Sequence, residues 1–300
     1  MAIGYIGLGN MGAPMARRLI ARHELLVHDA NPTAVQRMVD AGAIACPDLA
    51  EMARRCDIVM LCLPSSAYVH RVIFGEGGLS AGLRPGALIV DQTSGEPKAT
   101  REMAAELAKR DVWFVDAPVS GGPEGAEAGT VAIIVGATIA HYEQLLPIFH
   151  EIGANVFHAG EVGAANVAKL ANNLVSICLG LANIEAMALA VKNGIEPRRA
   201  YDILMASSGR NHHLEKIVGP HMLTGKLAAG FTVGVPHKDI KLACALGQES
   251  GMPMFFGNLA KELYEIYAKE IGDNAPGPAI ALVMDRLAST KMVPDGHSMT

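Results

Sequence analysis

Near its start the chain reads "AIGYIGLGNMGAPMARRL", a short apolar run followed by three glycines, Gly7, Gly9 and Gly12, spaced G-x-G-x-x-G. Few short features constrain a fold more. The spacing asks for a strand, a sharp turn and a helix in direct succession. The first glycine permits the turn, the second leaves no side chain in the path of an approaching pyrophosphate, and the third lets the helix pack close to the strand. The helix N-terminus then faces the phosphates. The same glycines would also serve an ordinary tight turn, so the rest of the chain has to discriminate. On the dinucleotide reading the loop residues are Gly7, Leu8, Gly9, Asn10, Met11 and Gly12. The next expected strand ends in Asp29, 17 residues beyond Gly12. An acidic residue there accepts hydrogen bonds from adenosine ribose hydroxyls and repels the extra phosphate of NADP. No arginine follows immediately in "HDANPT", which favours NAD; a plain turn or cap residue is the alternative for Asp29.

Apolar runs then alternate with helical patterns. Strands are expected at Ile3–Ile6, Leu25–His28, Ile58–Leu63, Ala87–Val90, Val112–Val115 and Val131–Val135. Helices are expected at Ala13–Ala21, Thr33–Ala41, Leu49–Arg54 and Lys98–Arg110. Such alternation predicts βαβ units and a mostly parallel, doubly wound sheet. Near Gly160 the texture changes. From about Ala164 to Val191 the pattern reads as one long helix, followed by helical segments at Pro197–Ala206, His237–Gln248, Met254–Lys269 and Pro278–Ser289. The expected organisation is a nucleotide-binding domain over 1–161, an interdomain helix over 162–192 and an all-helical domain over 193–292. A tail over 293–300, without hydrophobic pattern, is expected to be mobile.

Composition narrows the function. Of 300 residues, 50% are hydrophobic and 18% charged, enough for a sizeable core. With 25 basic and 30 acidic residues the formal net charge is −5, so no nucleic-acid partner is expected. No apolar run is expected to reach the roughly 18 residues of a membrane span, so no membrane association is expected. Met1 stands just before the first strand, leaving no room for a secretory leader. The five cysteines are scattered without a C-x-x-C pair, which points to reduced thiols and a cytoplasmic location. No metal-ligand cluster is expected.

The stretch "GEVGAANVAKLANN" heads the long helix. Asn166, Lys169 and Asn173 are spaced i, i+3, i+7 and share one helical face. A lysine among small apolar neighbours, flanked by asparagines, is positioned for proton transfer, since burial favours its neutral amine. A snorkelling surface lysine with two cap-like asparagines is the alternative. Separately, "SGG" at Ser120, Gly121 and Gly122 could form a nest of backbone N–H groups for an anion, or a flexible surface loop.

Four blocks together, "GLGNMGAPMA", "DAPVSGGPEGAEAGT", "GEVGAANVAKLANN" and "HKDIKLA", resemble the β-hydroxyacid dehydrogenase family of the 3-hydroxyisobutyrate dehydrogenase type. They stand in the family's order and spacing, and the resemblance covers nearly the whole chain. It implies an N-terminal Rossmann domain and a helical C-terminal domain joined by a long helix. It also implies that Lys169 is the catalytic lysine, that Asn173 helps hold substrate and lysine, and that Ser120, Gly121 and Gly122 bind the substrate carboxylate. By the same resemblance Lys238 reaches toward nicotinamide and substrate, and Leu63, Pro64, Thr93 and Ser94 line the cofactor. Lysine at 169, rather than aspartate or tyrosine, departs from the imine-reducing branch.

The implied activity is hydride transfer between a small carboxylate-bearing 3-hydroxy acid and NAD, in a homodimer or homotetramer. The alternatives are a reductase of tartronate or succinate semialdehyde, a 2-(hydroxymethyl)glutarate-type dehydrogenase, and a non-catalytic NAD-binding module. The stretch "SSGRNHHLEK" bears on this choice. Arg210 could pair with a second acidic group of the substrate; otherwise it is structural, with one of Asn211, His212 and His213 facing the pocket.

Overall fold

The computed structural model describes residues 2–300. The chain folds into two compact units, one ending at Lys169 and the other beginning at Leu170.

The first unit is built on nine strands: β1 Ala2–Ile6, β2 Glu24–His28, β3 Ile44–Ala45, β4 Ile58–Leu61, β5 Leu88–Asp91, β6 Trp113–Asp116, β7 Val119–Ser120, β8 Ala132–Gly136 and β9 Asn155–Gly160. Its helices are α1 Gly12–Leu19, α2 Pro32–Asp40, α3 Leu49–Arg55, α4 Ser66–Phe74, α5 Pro97–Ala108, α6 Gly122–Ala128 and α7 Ile139–Ile152. The sheet runs β3-β2-β1-β4-β5-β6-β8-β7, with β9 paired to β8. All pairs are parallel except β6–β8 and β7–β8. This is a doubly wound α/β sheet, as the alternation of runs and helices predicts.

Both sheet faces are covered, which is why the strands read as continuous apolar runs rather than alternating ones. Ile3, Tyr5, Leu25, Val27 and Met60 point into one core layer. Their chain neighbours Ile6, Leu26, Val59 and Leu61 point into the opposite layer. The period of two thus feeds two cores from the same strands.

Three strands and three helices lie outside the expected elements. β3 and β7 have two residues each, too few to carry a pattern. β9 alternates exposed and half-buried residues and includes polar Asn155 and His158. α6 contains a proline and two glycines, α7 contains Pro147, and α4 is only nine residues long. β4 also stops at Leu61 rather than Leu63, leaving Leu63 in a loop.

The long helix α8 spans Ala164–Lys192. Its length and composition correct one expectation: an 18-residue window has mean hydropathy 2.0, enough by that measure to cross a membrane, with 39% of the window buried in the protein. Asparagines and the single Ser176 interrupt the run without lowering its average much. The second unit continues with α9 Pro197–Ala206, a π-helical segment Leu214–Met222, α10 Gly234–Glu249, α11 Phe255–Ile271 and α12 Ile280–Ala288. Their apolar faces meet in one core around Ile184, Met187, Met222, Ile240 and Tyr264.

The segment 293–300 makes contacts at both ends, although residues 294–300 are exposed. Val293 is buried, and its N–H and that of Met292 are bound by the Asp285 carboxylate. Further along, Ser298 exchanges backbone hydrogen bonds with Gly225 and Leu227. These contacts join the segment to backbone distant in sequence, which no local pattern records.

Candidate active site

The three glycines of the first loop have different reasons to be there. Gly7 has φ +97°, and a Cβ on it would stand 2.2 Å from the Cys62 carbonyl oxygen. A Cβ on Gly12 would stand 1.9 Å from the Gly7 carbonyl oxygen. The packing of the protein itself excludes side chains at both positions. A Cβ on Gly9 would meet nothing within 4 Å. It would point into open space, in a cleft of about 520 Å³ lined by Leu8, Gly9, Asn10, Asp29, Arg37 and Met38. A glycine that the fold does not need, at the head of a helix and facing a cleft, fits a pyrophosphate held against the backbone.

Asp29 follows β2 and is oriented by two backbone donors. Leu8 N–H donates to its Oδ2 at 2.6 Å, and Asn31 N–H donates to its Oδ1 at 2.7 Å. A carboxylate has about four acceptor sites, so both oxygens keep capacity for ribose hydroxyls. Asn31 in turn caps α2 by accepting from Thr33 N–H at 3.0 Å. Arg17 pairs with Glu127 at 2.8 Å, and both line the cleft.

The loops after β4 and β5 are tied together. Leu63 N–H donates to Thr93 Oγ1 at 3.0 Å, and Thr93 N–H donates to Asp91 Oδ1 at 3.0 Å. Thr93 is buried and acts here as a clamp between two strand-end loops. Pro64 is exposed and Ser94 half-buried beside it. Tyr5 of β1 donates its hydroxyl to Gln92 Oε1 at 2.6 Å, fixing the same loop from below.

The head of α8 is anchored by Asp116 at the end of β6. Its carboxylate accepts from Gly163 N–H at 2.7 Å and from Asn166 N–H at 2.9 Å, satisfying free donors of the helix start. Burial pushes the Asp116 carboxyl up from its usual range, and these two N–H groups oppose the shift. Gly136 makes room: a Cβ there would stand 2.3 Å from Asp116 Oδ1 and 3.1 Å from Ala165 N. Asn166 is fully buried. Its Oδ1 accepts from Gly95 N–H at 2.9 Å and its Nδ2 donates to Thr100 Oγ1 at 3.2 Å. The helix start is thereby fixed to the loop after β5. Lys169 follows one turn later and is only 8% exposed. In the same unit Ser120 ends β7, and Gly121 (φ +139°) and Gly122 (φ +66°) follow it, both exposed. Two positive φ values in succession explain the glycines; a Cβ on Gly121 would come within 3.3 Å of the Val131 side chain, whereas one on Gly122 would meet nothing within 4 Å.

In the second unit Asn173 donates from Nδ2 to Asp239 Oδ2 at 2.7 Å. Lys238 reaches the other oxygen of that carboxylate at 2.8 Å. One buried aspartate thus aligns both residues. Arg210 is exposed and lies 3.7 Å from Glu215. Its neighbours behave differently from one another. Asn211 and Asn183 of α8 exchange two side-chain hydrogen bonds, at 2.9 and 3.0 Å. His212 is exposed. His213 lies against α8 where a Cβ on Gly180 would come within 3.1 Å of its ring. Burial, with a smaller effect of His212, lowers the His213 pKa to about 4.

Two family models match. Residues 2–160 match the NAD-binding domain of 6-phosphogluconate dehydrogenase, and residues 163–283 match the NAD-binding domain of NADP-dependent 3-hydroxyisobutyrate dehydrogenase. The chain belongs to the β-hydroxyacid dehydrogenase family. It is 37% identical over 264 residues to 2-(hydroxymethyl)glutarate dehydrogenase of Eubacterium barkeri, covering 88% of each chain. It is 36% identical over 275 residues to the NAD-dependent L-serine dehydrogenase of Pseudomonas aeruginosa, covering 89% of this chain and 92% of that one. Among solved structures, 3-hydroxyisobutyrate dehydrogenase of Mycobacterium tuberculosis with L-serine superposes with a TM-score of 0.82 at 27% identity, over 94% of this chain and 98% of that one. As a member of this family the chain is an NAD(P)-dependent dehydrogenase acting on a hydroxyl group.

Several residues that shape the site were not singled out in the sequence: Asp116, Asp239, Arg37, Arg17 and Glu127. Asp116 and Asp239 stood inside two of the quoted family blocks, but nothing local marks an aspartate as the clamp of a distant helix. On α1 and α2 nothing local separates cleft-lining cations such as Arg17 and Arg37 from solvated ones.

Proposed function

We propose that the chain oxidises a small 3-hydroxy acid of the 3-hydroxyisobutyrate kind with NAD, Lys169 taking the hydroxyl proton. The carrying observation is Lys169 itself: a nearly buried lysine one turn beyond a helix head that Asp116 and Asn166 hold rigidly. NAD, held there, would supply the acceptor for the hydride of the carbinol carbon. Gly9 and the start of α1 receive the pyrophosphate, and Asp29 receives the ribose hydroxyls. Leu8, Asn10, Met11, Leu63, Pro64, Thr93 and Ser94 complete the cofactor walls. The backbone at Ser120, Gly121 and Gly122 holds the substrate carboxylate. Lys169 Nζ accepts the hydroxyl proton during oxidation and returns it during reduction. Asn173 and Lys238, aligned by Asp239, assist in holding substrate and cofactor.

Asp29 supports NAD over NADP, because a carboxylate at the ribose repels a 2′-phosphate. Arg37 lines the same cleft and is the cation such a phosphate would find. Asp29→Asn is therefore expected to lower kcat/KM for NAD about tenfold or more relative to NADP, by roughly the 1.4 kcal/mol that a factor of ten represents. An unchanged ratio would remove Asp29 as the discriminator.

A dicarboxylic substrate is the second reading, favoured by the likeness to the 2-(hydroxymethyl)glutarate enzyme. It would use Arg210 as the second cation. A cytoplasmic homodimer or homotetramer is proposed with either. The test is NADH appearance at alkaline pH over a panel of 3-hydroxyisobutyrate, 3-hydroxypropionate, serine, glycerate, 4-hydroxybutyrate and 2-(hydroxymethyl)glutarate, with a Lys169→Ala control. A hit on 3-hydroxyisobutyrate or 3-hydroxypropionate that is lost in the control supports the first reading. Preference for the dicarboxylate, lost in Arg210→Ala, supports the second.

A further inference from the structure

The helix that carries Lys238 and Asp239 begins without a side-chain cap, since Val233 precedes it. The free donors of its first turn go to backbone instead. Gly234 N–H donates to the Asp273 carbonyl at 2.9 Å, Val235 N–H donates to the Thr232 carbonyl at 3.1 Å, and Pro236 brings no N–H. Val233 N–H donates to the Ala275 carbonyl at 2.9 Å and Gly277 N–H to the Phe231 carbonyl at 3.0 Å. The segment 273–277 therefore lies antiparallel along 231–234. His237 stands in the next turn of α10 and is buried. A carboxylate only accepts, so the Nδ1–H of His237 donates to Asp273 Oδ1, at 3.0 Å. Its Nε2 lies 3.2 Å from Glu265 Oε1 on α11, off the line of a hydrogen bond. Glu265 takes the Lys241 ammonium at 2.7 Å, which holds its carboxyl below the usual range. The ring stacks on Tyr264 of α11, with centroids 6.5 Å apart and 19° between planes.

Two residues further on, Asp239 leaves the helix on the opposite side, about 200° round the axis. There it accepts from Asn173 Nδ2 and meets the Lys238 ammonium. The start of α10 is thus pinned on one side through His237 and engaged on the other through Asp239. We infer that His237 is a positioning residue for the reaction: by tying the first turns of α10 to Asp273, it sets where Asp239 meets Asn173 and so aligns Asn173 and Lys238. The donor that matters is Nδ1–H, the one aligned on a carboxylate, while the Nε2 edge packs. A histidine that merely fills the core can be replaced by any group of its size. A positioning histidine needs a donor at one atom. Removing the Asp273 carboxylate strands a buried N–H, and a shift of the helix start is what relieves that cost. The inference deepens the proposed function and rests on its placing of Asn173 and Lys238 against substrate and cofactor.

The test is a set of full-chain variants read by steady-state kinetics and by fluorescence titration with NADH. Asp273→Ala removes the acceptor from a side chain that is 60% exposed, so it leaves the fold intact. It should raise KM for the hydroxy acid and the NADH dissociation constant about fivefold each, with kcat within about twofold, the pattern of lost binding rather than lost chemistry. His237→Gln carries its amide donor near the place of Nε2 and should behave the same way. His237→Asn carries its amide donor near the place of Nδ1 and should keep both constants within about twofold of wild type. In an Asp239→Asn background, adding Asp273→Ala should change neither constant further, because the effects of residues that act through one another do not add. Equal effects of His237→Asn and His237→Gln, unchanged constants in Asp273→Ala, a kcat that falls at constant KM, or full additivity with Asp239→Asn would each overturn the proposal. If the wild type bound NADH and turned over nothing in the substrate panel, the proposed substrate would fail, and the NADH titrations would still decide the role of His237.

Discussion

Helix α8 carries two buried asparagine centres that make an instructive pair. Asn166, in the first unit, binds a backbone N–H and a threonine hydroxyl and is fully buried. Asn183, in the second, binds another asparagine side chain and approaches the His213 ring at 3.3 Å. Residue type and helix are the same, but the partners differ. Asn166 fixes the helix start to a strand-end loop and so sets where Lys169 stands. Asn183 fixes the segment after α9 and serves the fold of its own unit. An interaction with backbone at the end of a strand positions chemistry, whereas a side-chain pair between helices positions structure.

The comparison is sharpened most by the residue each asparagine supports. Lys169→Ala should lower turnover by about 10²–10⁴, the usual contribution of a positioned proton-transfer group, while the cofactor dissociation constant from fluorescence titration stays nearly unchanged. A loss below tenfold would refute the assignment of Lys169. Next in size is a pH effect in the second centre. The folded His213 pKa is lowered to about 4 from 6.5, so between those values the unfolded chain binds the proton and the folded chain refuses it. Stability is therefore expected to fall as pH drops from 6.5 toward 4, by up to about 3 kcal/mol from this group, and to be insensitive to it above 6.5. Urea midpoints at pH 7 and pH 5 should separate more in the wild type than in His213→Asn; equal separation would show the ring to be solvated.

Asn166→Ala should cost about 2 kcal/mol, because it leaves the Gly95 N–H buried without its acceptor. It should also lower kcat while leaving KM for NAD nearly constant, a split that a purely structural residue would not produce. Asn183→Ala should cost about 1 kcal/mol, since Asn211 is only partly buried and can turn to water. Its kcat should stay within a factor of two or so of wild type by the same reasoning. If the two variants affected turnover alike, the contrast between the centres would fail.

Much of this was legible in the sequence because the signals were local. The glycine spacing, the run of β1 and the acidic end of β2 lie within some thirty residues and describe one βαβ unit. The face shared by Asn166 and Lys169 follows from helical periodicity alone. The family blocks then extended the reading across the chain. What stayed illegible was non-local. The contacts of the segment 293–300 are with Asp285 and with the backbone near Gly225. Asp116 caps a helix about fifty residues away, and Asp239 bridges Asn173 and Lys238 only once α8 and α10 have met. Thr93 reads as a cofactor contact, and the structure gives its hydroxyl to a neighbouring loop.

The sequence by itself determined the doubly wound sheet, the phosphate-binding turn, the long helix and the family, because each is written in spacings that a single strand or helix imposes on its own residues. Tertiary structure alone decided which of the three glycines is left open to a ligand and which asparagine anchors the reactive helix. Those outcomes depend on what occupies the space opposite each residue, and that neighbour is distant in the chain.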